Sequence, residues 1–547
     1  MSASYDAVVV GSGHNGLVAA VVLARAGWDV LVVEANERPG GALASAGLTL
    51  PGYMHDLYAT NLNLFLASPF YAQFRLDLQR HGLKLRRSEH AFANVFPDGR
   101  SAGVGGGLEQ TLVSLGTLDP RDARGWREMY ELFQRTSGLL FSTYAAPVPS
   151  LALALAIASA GKRLGRQGLA EVLQLVASSC RELVDTYLVS DEAKVLVASW
   201  GLHLDFGPDI AGGAVFPFLE AMTDMENGIA IAEGGASRLV DALSGLLGEH
   251  GGKLRLGAAV REILIDKGRA VGVVLDSGER LMARRAVVAN VSPTALVRDL
   301  LDPDCLPARQ RRALDRYSYG PATMMIHLAL AGPVPWAAGG HLQRFAYVHV
   351  APYLDDLART YTDALAGRLP EEPLLVVGQT SSVDPTRAPG DGQVLWIQVR
   401  ALPTTIAEDS HGQLSGATWD SAREVFADRV LAKLERYAPG LSKVVLGRTV
   451  LSPSDLERQN RNLVGGDSIA GSMHLRQNFL LRPGLGMARS HLPLMGLRLV
   501  GAGVWPGPGL NALSGYHAAR DLVRESRGYG LPAALWRRIS MRSVNDG

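Results

Sequence analysis

The spacing of apolar and polar positions changes several times along the chain, and each change marks an element. "YDAVVV" (residues 5–10) is an apolar run closed by glycine, the pattern of a short strand buried on both faces. From about Asn15 to Ala26 the apolar residues Leu17, Ala20, Val21 and Ala24 recur at helical spacing until Gly27. "DVLVVEA" then predicts a second buried strand, ending at Glu34. Residues 110–220 read as largely helical and irregular. After Gly228 come a strand ("GIAIA"), a Gly-Gly turn, an amphipathic helix and a further strand ("KLRL"). Three strand-like runs separated by Lys267-Gly268 and Asp276-Ser277-Gly278 predict a β-meander. Its last run, "AVVAN", is apolar enough to enter a central sheet. Residues 295–480 mix strands ("TMMIHLAL", "VLWIQVR") with helices ("ATWDSAREVFADRVLAKLERYA"). "GLRLVGAGVWPGPGLNALSGYHAARDLV" closes the pattern with a strand, a Gly/Pro loop and a helix.

The chain has 547 residues, more than one hydrophobic core usually supports. No repeat of fixed period occurs, and the strand–turn–helix units fall at the start, middle and end. An interleaved division follows: residues 1–100, 225–292 and 485–530 in one unit, 101–224 and 293–484 in another, and 531–547 as a C-terminal tail.

Charge and cysteine content narrow the function classes. A formal net charge of +1 with no long basic run gives a nucleic-acid partner no electrostatic support. Cys180 and Cys305 form no Cys-x-x-Cys, which argues against a redox disulfide, a structural zinc site or a disulfide scaffold. The start of the chain lacks a basic region followed by an apolar one, so no secretory signal and a cytoplasmic location are expected. Residues 147–167 ("PVPSLALALAIASAGKRLGRQ") hold roughly a dozen apolar positions, too few to span a bilayer. A core helix is the first reading of this segment. Shallow peripheral contact with a membrane, beside Lys162, Arg163 and Arg166, is the second.

The chemistry begins at the first turn. Gly11-x-Gly13-x-x-Gly16 follows a strand and opens a helix, and Glu34 ends the next strand about twenty residues on. This spacing brings a pyrophosphate against backbone N–H groups and a helix N-terminus, while a carboxylate accepts hydrogen bonds from a ribose diol and repels a 2′-phosphate. His14 reads as a loop residue near the pyrophosphate. The tail decides between dinucleotides. A second glycine-rich strand–loop–helix has no role in a simple NAD domain, whereas extended FAD must be met separately at its pyrophosphate, ribityl and ring portions. A helix starting near Asn511 would direct backbone N–H groups at the flavin ring.

Together "GHNGLVAA", "VVEANERPGGA", "GIAIAEGGASRLVDAL", "VVAN" and "GLRLVGAGVWPGPGL" resemble the phytoene-desaturase-related FAD oxidoreductases, a group of carotenoid desaturases, carotenoid isomerase, retinol saturase and flavin-type carotenoid ketolases. The resemblance runs through the whole chain in order. It implies an α/β fold, a Rossmann-like FAD-binding domain of the amine-oxidase and phytoene-desaturase type interleaved with a mixed α+β substrate domain. It implies cofactor contacts at Gly11, Gly13, Gly16, Glu34, Gly40 and Gly41, then at Val260; the cofactor-binding set expected around these also takes in His14, Asn15, Ala35, Arg38, Ala42 and Asn290. In the tail it implies contacts at Gly501, Ala502, Gly503, Gly507, Gly509, Leu510 and Asn511. Ala42 stands where many relatives carry arginine, and Ser490 stands about where many carry tyrosine.

The family chemistry implied is hydride transfer between an unactivated carbon of a long apolar substrate and flavin N5, and it needs no strong base. The polar candidates for a catalytic role are His203, Asp205, Tyr317, Tyr319 and Trp505. A structural histidine and core or rim tyrosines are the simpler readings for His203, Tyr317 and Tyr319. The thirteen histidines include no His-x-x-His or Glu-x-x-His, so no metal is expected. Expected partners are an apolar small molecule, a membrane surface and a second copy of the chain. Amine oxidation, redox-neutral isomerisation and a non-catalytic partner-binding role are the alternatives.

Overall fold

The computed structural model describes residues 3–528 of the chain; the tail expected at 531–547 lies outside them. The first seven-stranded sheet is built on Ala3–Val10, which runs parallel to Val30–Val33 on one side and to Arg280–Ala289 on the other. Lys253–Arg255 adds to the outer edge of Val30–Val33. The meander strands Val260–Asp266 and Arg269–Leu275 continue the sheet beyond Arg280–Ala289. That ten-residue strand divides its outer edge. Its first half pairs antiparallel with the meander (Gly272 opposite Met282), and its end pairs parallel with Leu497–Leu499 (Ala289 opposite Leu499).

Alternation along the central strand explains the two layers on this sheet. Ala7 and Val9 face helices His14–Arg25, Ser237–Glu249 and Leu513–Ser526, joining Val18, Leu243 and Tyr516 in one core. Val8 and Val10 face the other way, toward Leu296, Val297 and Leu300.

A second seven-stranded sheet runs in the order Val445–Leu451, Ala322–Leu330, Gln393–Leu402, Leu374–Gly378, Tyr347–Val350, His90–Val95, Ser101–Gly105. Residues 90–95 therefore stand beside Tyr347–Val350, although the sequence division placed them in the first unit. Their apolar pattern cannot tell the two sheets apart. One face of this sheet packs Ile326, Val348 and Ile397 on helix Trp419–Tyr437 through Phe426 and Val430. The other presents Met325, Tyr347 and Trp396 to a helical layer that includes Pro120–Ala145, Leu151–Ala177 and Val215–Asn227.

Helix Leu151–Ala177 corrects the core-helix reading of residues 147–167. Leu151 and Leu155 are 76% and 62% exposed and Ile157 is also exposed, while only Val148, Leu153 and Ala160 of that stretch are buried. The helix breaks at Gly165, whose φ is +67°. Among the described residues, no helix is long and apolar enough to cross a membrane.

The lobes are joined by a buried ion cluster. Arg387 is fully buried, with guanidinium nitrogens 3.0 Å from both Asp56 and Asp384, and it donates to the Ala232 carbonyl at 3.0 Å.

Candidate flavin and substrate site

The first glycine turn is packed too closely for any side chain. A Cβ on Gly16 would lie 2.2 Å from the Gly11 carbonyl oxygen, and one on Gly13 would lie 2.8 Å from Asn290 Nδ2. Gly13 and Gly40 bridge in parallel, so the turn after the first strand and the "RPGGA" turn form one wall. Asn290 follows the meander's last strand directly, and its N–H donates to the Val10 carbonyl at 2.8 Å. It thus lies among Gly11, Gly13, Gly16 and Gly501.

Glu34 is buried at the end of the second strand. Its Oε2 accepts from the Ser12 N–H (2.8 Å) and Oγ (2.7 Å), and its Oε1 accepts from the Asn36 N–H (3.0 Å). A carboxylate oxygen accepts more than one hydrogen bond, so capacity remains for a diol. The Ala258 N–H donates to the Glu34 carbonyl at 2.7 Å, which places Val260 two residues beyond this contact, at the start of the meander. Ala35 and Arg38 are exposed beside Glu34.

The tail closes over this turn. Asn15 Oδ1 accepts from Ser514 Oγ (2.8 Å) and the Gly515 N–H (3.1 Å), locking the first helix to the last. Asn511 Oδ1 accepts from the Leu513 N–H at 3.0 Å at the start of that helix, and its Nδ2 donates to Tyr144 Oη at 3.1 Å. His14 Nε2 lies 2.9 Å from Asn15 Nδ2. Burial pushes the His14 imidazole down to about 4, partly offset by the Gly509 backbone, so the ring is neutral at physiological pH. Arg482, fully buried, donates to the Ala502 carbonyl through Nε (2.9 Å) and Nη2 (2.7 Å) and to the Ser472 carbonyl at 2.7 Å.

A cavity of about 550 Å³ opens from this cradle into the second lobe. Gly13, His14, Asn15, Gly41, Ala42 and Asn290 border it at one side, with Gly501, Ala502, Gly503, Gly509 and Leu510 from the tail. Its far wall is aromatic and aliphatic: Tyr58, Trp200, Met325, Tyr347 and Trp396, the last two rings stacked with centroids 5.9 Å apart.

The candidates for a catalytic role separate here. His203 borders the cavity, its ring 4.7 Å from Trp200, and burial, Arg400 and His349 hold its pKa well below the ordinary value. Asp205 lies behind that wall, accepting from Tyr361 Oη at 2.9 Å. Tyr317 donates to the Ala470 carbonyl at 3.2 Å, and the Tyr319 hydroxyl is 2.5 Å from Thr294 Oγ1; neither borders the cavity. Trp505 packs on Phe479 and donates to the Ala146 carbonyl at 3.2 Å, outside the cavity wall. Ser490 is buried and hydrogen-bonded through its carbonyl to the Leu499 N–H.

Sequence reading missed three polar groups on the cavity. Glu220 and Asp224 stand one turn apart on Val215–Asn227. Asn63 Nδ2 donates to Asp224 Oδ1 at 3.0 Å, and Asp224 Oδ2 has no partner. Burial raises Glu220 to about 7, and burial with the neighbouring Glu220 raises Asp224 well above the ordinary carboxylate range. Arg400 is the third. Two carboxylates at i, i+4 within "FPFLEAMTDME" were the available signal for the acids. For Arg400 it was a cation two residues from Gln398 and four from Trp396, on the same strand face. Arg482 offered no sequence signal.

The site suits FAD on its own terms, since a backbone-lined cradle, a buried carboxylate and a helix N-terminus adjoin an apolar chamber large enough for a ring system and substrate carbons. This arrangement defines an FAD-dependent oxidoreductase. The chain belongs to the flavin containing amine oxidoreductase family, whose model matches residues 16–443. It is 28% identical to pyridine nucleotide-disulfide oxidoreductase domain-containing protein 2 of Rattus norvegicus, over 95% of this chain and 94% of that protein. It is 25% identical to the neurosporene-forming phytoene desaturase of Rhodobacter capsulatus, over 93% and 92%. Cyclohexylamine oxidase from Brevibacterium oxydans shares the fold, with a TM-score of 0.60 at 15% identity over 96% of this chain and 99% of that one. Within the family the chain is of the phytoene-desaturase-related type.

Proposed function

We propose that the protein transfers a hydride between a carbon of an apolar polyene- or lipid-like molecule and FAD, giving desaturation, saturation or ketolation. The observation that carries this reading is the apolar, aromatic-walled cavity continuous with the glycine cradle. FAD, when bound, supplies a two-electron hydride acceptor or donor at N5. Gly11, Gly13, Gly16, Glu34 and Asn290 would hold its dinucleotide portion, and residues 501–511 its ring end. Tyr58, Trp200, Tyr347 and Trp396 would orient the substrate chain and exclude water. His203 stays neutral, so the chamber presents no cationic acid there. Helix Leu151–Ala177 packs on Pro120–Ala145, which brings Phe141 and Tyr144 to the cavity, and its exposed apolar face would deliver substrate from a membrane surface.

The test is an anaerobic absorption spectrum of the FAD-loaded protein before and after a polyene-rich lipid extract is added. Bleaching of the flavin supports substrate oxidation. With prereduced flavin, reoxidation under the same conditions supports saturation. No change in either experiment ends the reading. A second reading, amine oxidation, is favoured by the stacked Tyr347 and Trp396 beside two buried acids; amine-dependent peroxide release would identify it.

A further inference from the structure

The fold pairs its other deeply buried arginines. Arg387 meets two carboxylates, Arg482 meets backbone carbonyls, and Arg498 meets Glu525 at 2.6 Å. Arg400 differs. It is only 8% exposed, borders the cavity, and has no carboxylate within ion-pair distance among the described residues. Nη1 donates to Ser468 Oγ at 2.9 Å, Nη2 lies 3.5 Å from His203 Nδ1, and Nε has no partner. Asp467, the carboxylate that acts on it from farther away, already accepts from the N–H groups of Gly320 (2.9 Å), Ile469 (2.9 Å) and Gly471 (2.8 Å). Burial pushes the Arg400 guanidinium down to about 10, the sign of a charge kept from water without full compensation.

His203 backs the guanidinium. With Nδ1 turned to the guanidinium, the neutral ring carries its hydrogen on Nε2, and Nε2 is buried without a partner. Besides the acids Glu220 and Asp224, the chamber lining thus includes a buried guanidinium whose charge no carboxylate meets, steadied by Ser468 and the His203 ring. The group that meets such a charge is a carboxylate.

We propose that Arg400, held by Ser468 and His203, recognises a carboxylate carried by the substrate, so that the substrate class is an apolar chain or polyene bearing a carboxylic acid. The proposal rests on the apolar-substrate reading above and names the polar end that reading leaves open. Hydride transfer would take place at a carbon elsewhere on the chain, with the carboxylate fixing which carbon is presented.

The experiment titrates the full-length, FAD-loaded protein with a conjugated polyene carboxylic acid and with its methyl ester, following polyene and flavin absorbance. The wild type is expected to bind the acid roughly 10- to 100-fold more tightly than the ester, as a hydrogen-bonded charge pair gives. Arg400→Gln should abolish that preference with FAD content unchanged, and Arg400→Lys should recover part of it. His203→Phe, which keeps the ring volume, should reduce the preference and serves if the arginine variants do not fold. Equal affinity for acid and ester in the wild type overturns the carboxylate subsite and leaves the apolar-substrate reading standing. A preference that survives Arg400→Gln, or loss of FAD from that variant, overturns it as well, the latter by assigning Arg400 to the cofactor. Failure of both compounds to bind removes this inference and the apolar-substrate reading together.

Discussion

Glu220→Gln should stabilise the protein in alkaline solution and not in acid. Burial against the aromatic wall holds the Glu220 carboxyl at about 7, whereas an unfolded chain releases that proton near 4.5. The folded state therefore binds the proton more tightly. Between those two pH values unfolding releases a proton, so stability falls as pH rises, and the loss is complete above about pH 7. A rise from 4.5 to about 7 corresponds to a penalty on the order of 3 kcal/mol. Glutamine keeps the volume and the contact with Asn61 but carries no charge, so the variant escapes that penalty. It also removes the neighbour that raises Asp224. With an unfolding entropy of about 2 cal/mol/K per residue, ~1 kcal/mol moves Tm by about 1 °C in a chain this long. Calorimetry of FAD-loaded wild type and variant at pH 5 and pH 8.5 should show nearly equal Tm at the lower pH and a variant about 3 °C higher at the upper. An offset that is the same at both pH values, or a variant less stable at pH 8.5, would refute the assignment of a raised carboxyl to Glu220.

Three further outcomes follow from the geometry. Arg387→Met strands Asp56 and Asp384 as buried carboxylates between the lobes and should cost about 3–5 kcal/mol, read as a lowered Tm at neutral pH. Gly16→Ala drives a methyl group to 2.2 Å from the Gly11 carbonyl, so the flavin-to-protein ratio of purified material should fall several-fold. Replacing Leu151, Leu155 and Ile157 with serine should leave FAD content unchanged while abolishing co-sedimentation with anionic vesicles; absence of binding by the wild type would end the membrane reading.

Much of the cofactor lobe was legible because its physics is local. Gly11, Gly13 and Gly16 between a strand and a helix, with Glu34 closing the next strand, constrain one another within some two dozen residues. The tail was legible for the same reason, as a strand, a glycine loop and the helix Leu513–Ser526. The substrate chamber was not. Its walls come from positions hundreds of residues apart, such as Tyr58, Trp200 and Trp396, and their approach depends on sheet order, which hydrophobic period does not encode. Residues 90–95 show the same limit, since a buried strand fits either sheet until its neighbours are known. Helix Leu151–Ala177 misled in the opposite sense. Its apolar composition suggested burial, and only the packed helices beside it show that this face was left outside. Tyr317 and Trp505 drew notice by residue type and by proximity in sequence to marked segments, yet their polar atoms are spent on the Ala470 and Ala146 carbonyls.

The contact between Asn15 and the start of helix Leu513–Ser526, at Ser514 and Gly515, has a consequence in time as well as space. A ribosome must polymerise the intervening residues between making one partner and the other, because they stand 499 and 500 positions apart. The Leu497–Leu499 strand that borders Arg280–Ala289 arrives equally late. The glycine turn therefore leaves the ribosome long before the segment that covers it, and no premature stop ahead of residue 513 can yield a sealed site. Cofactor retention in this protein doubles as a check that synthesis reached the helix Leu513–Ser526. The long interval with exposed apolar surface is also when the chain most needs shielding from its neighbours.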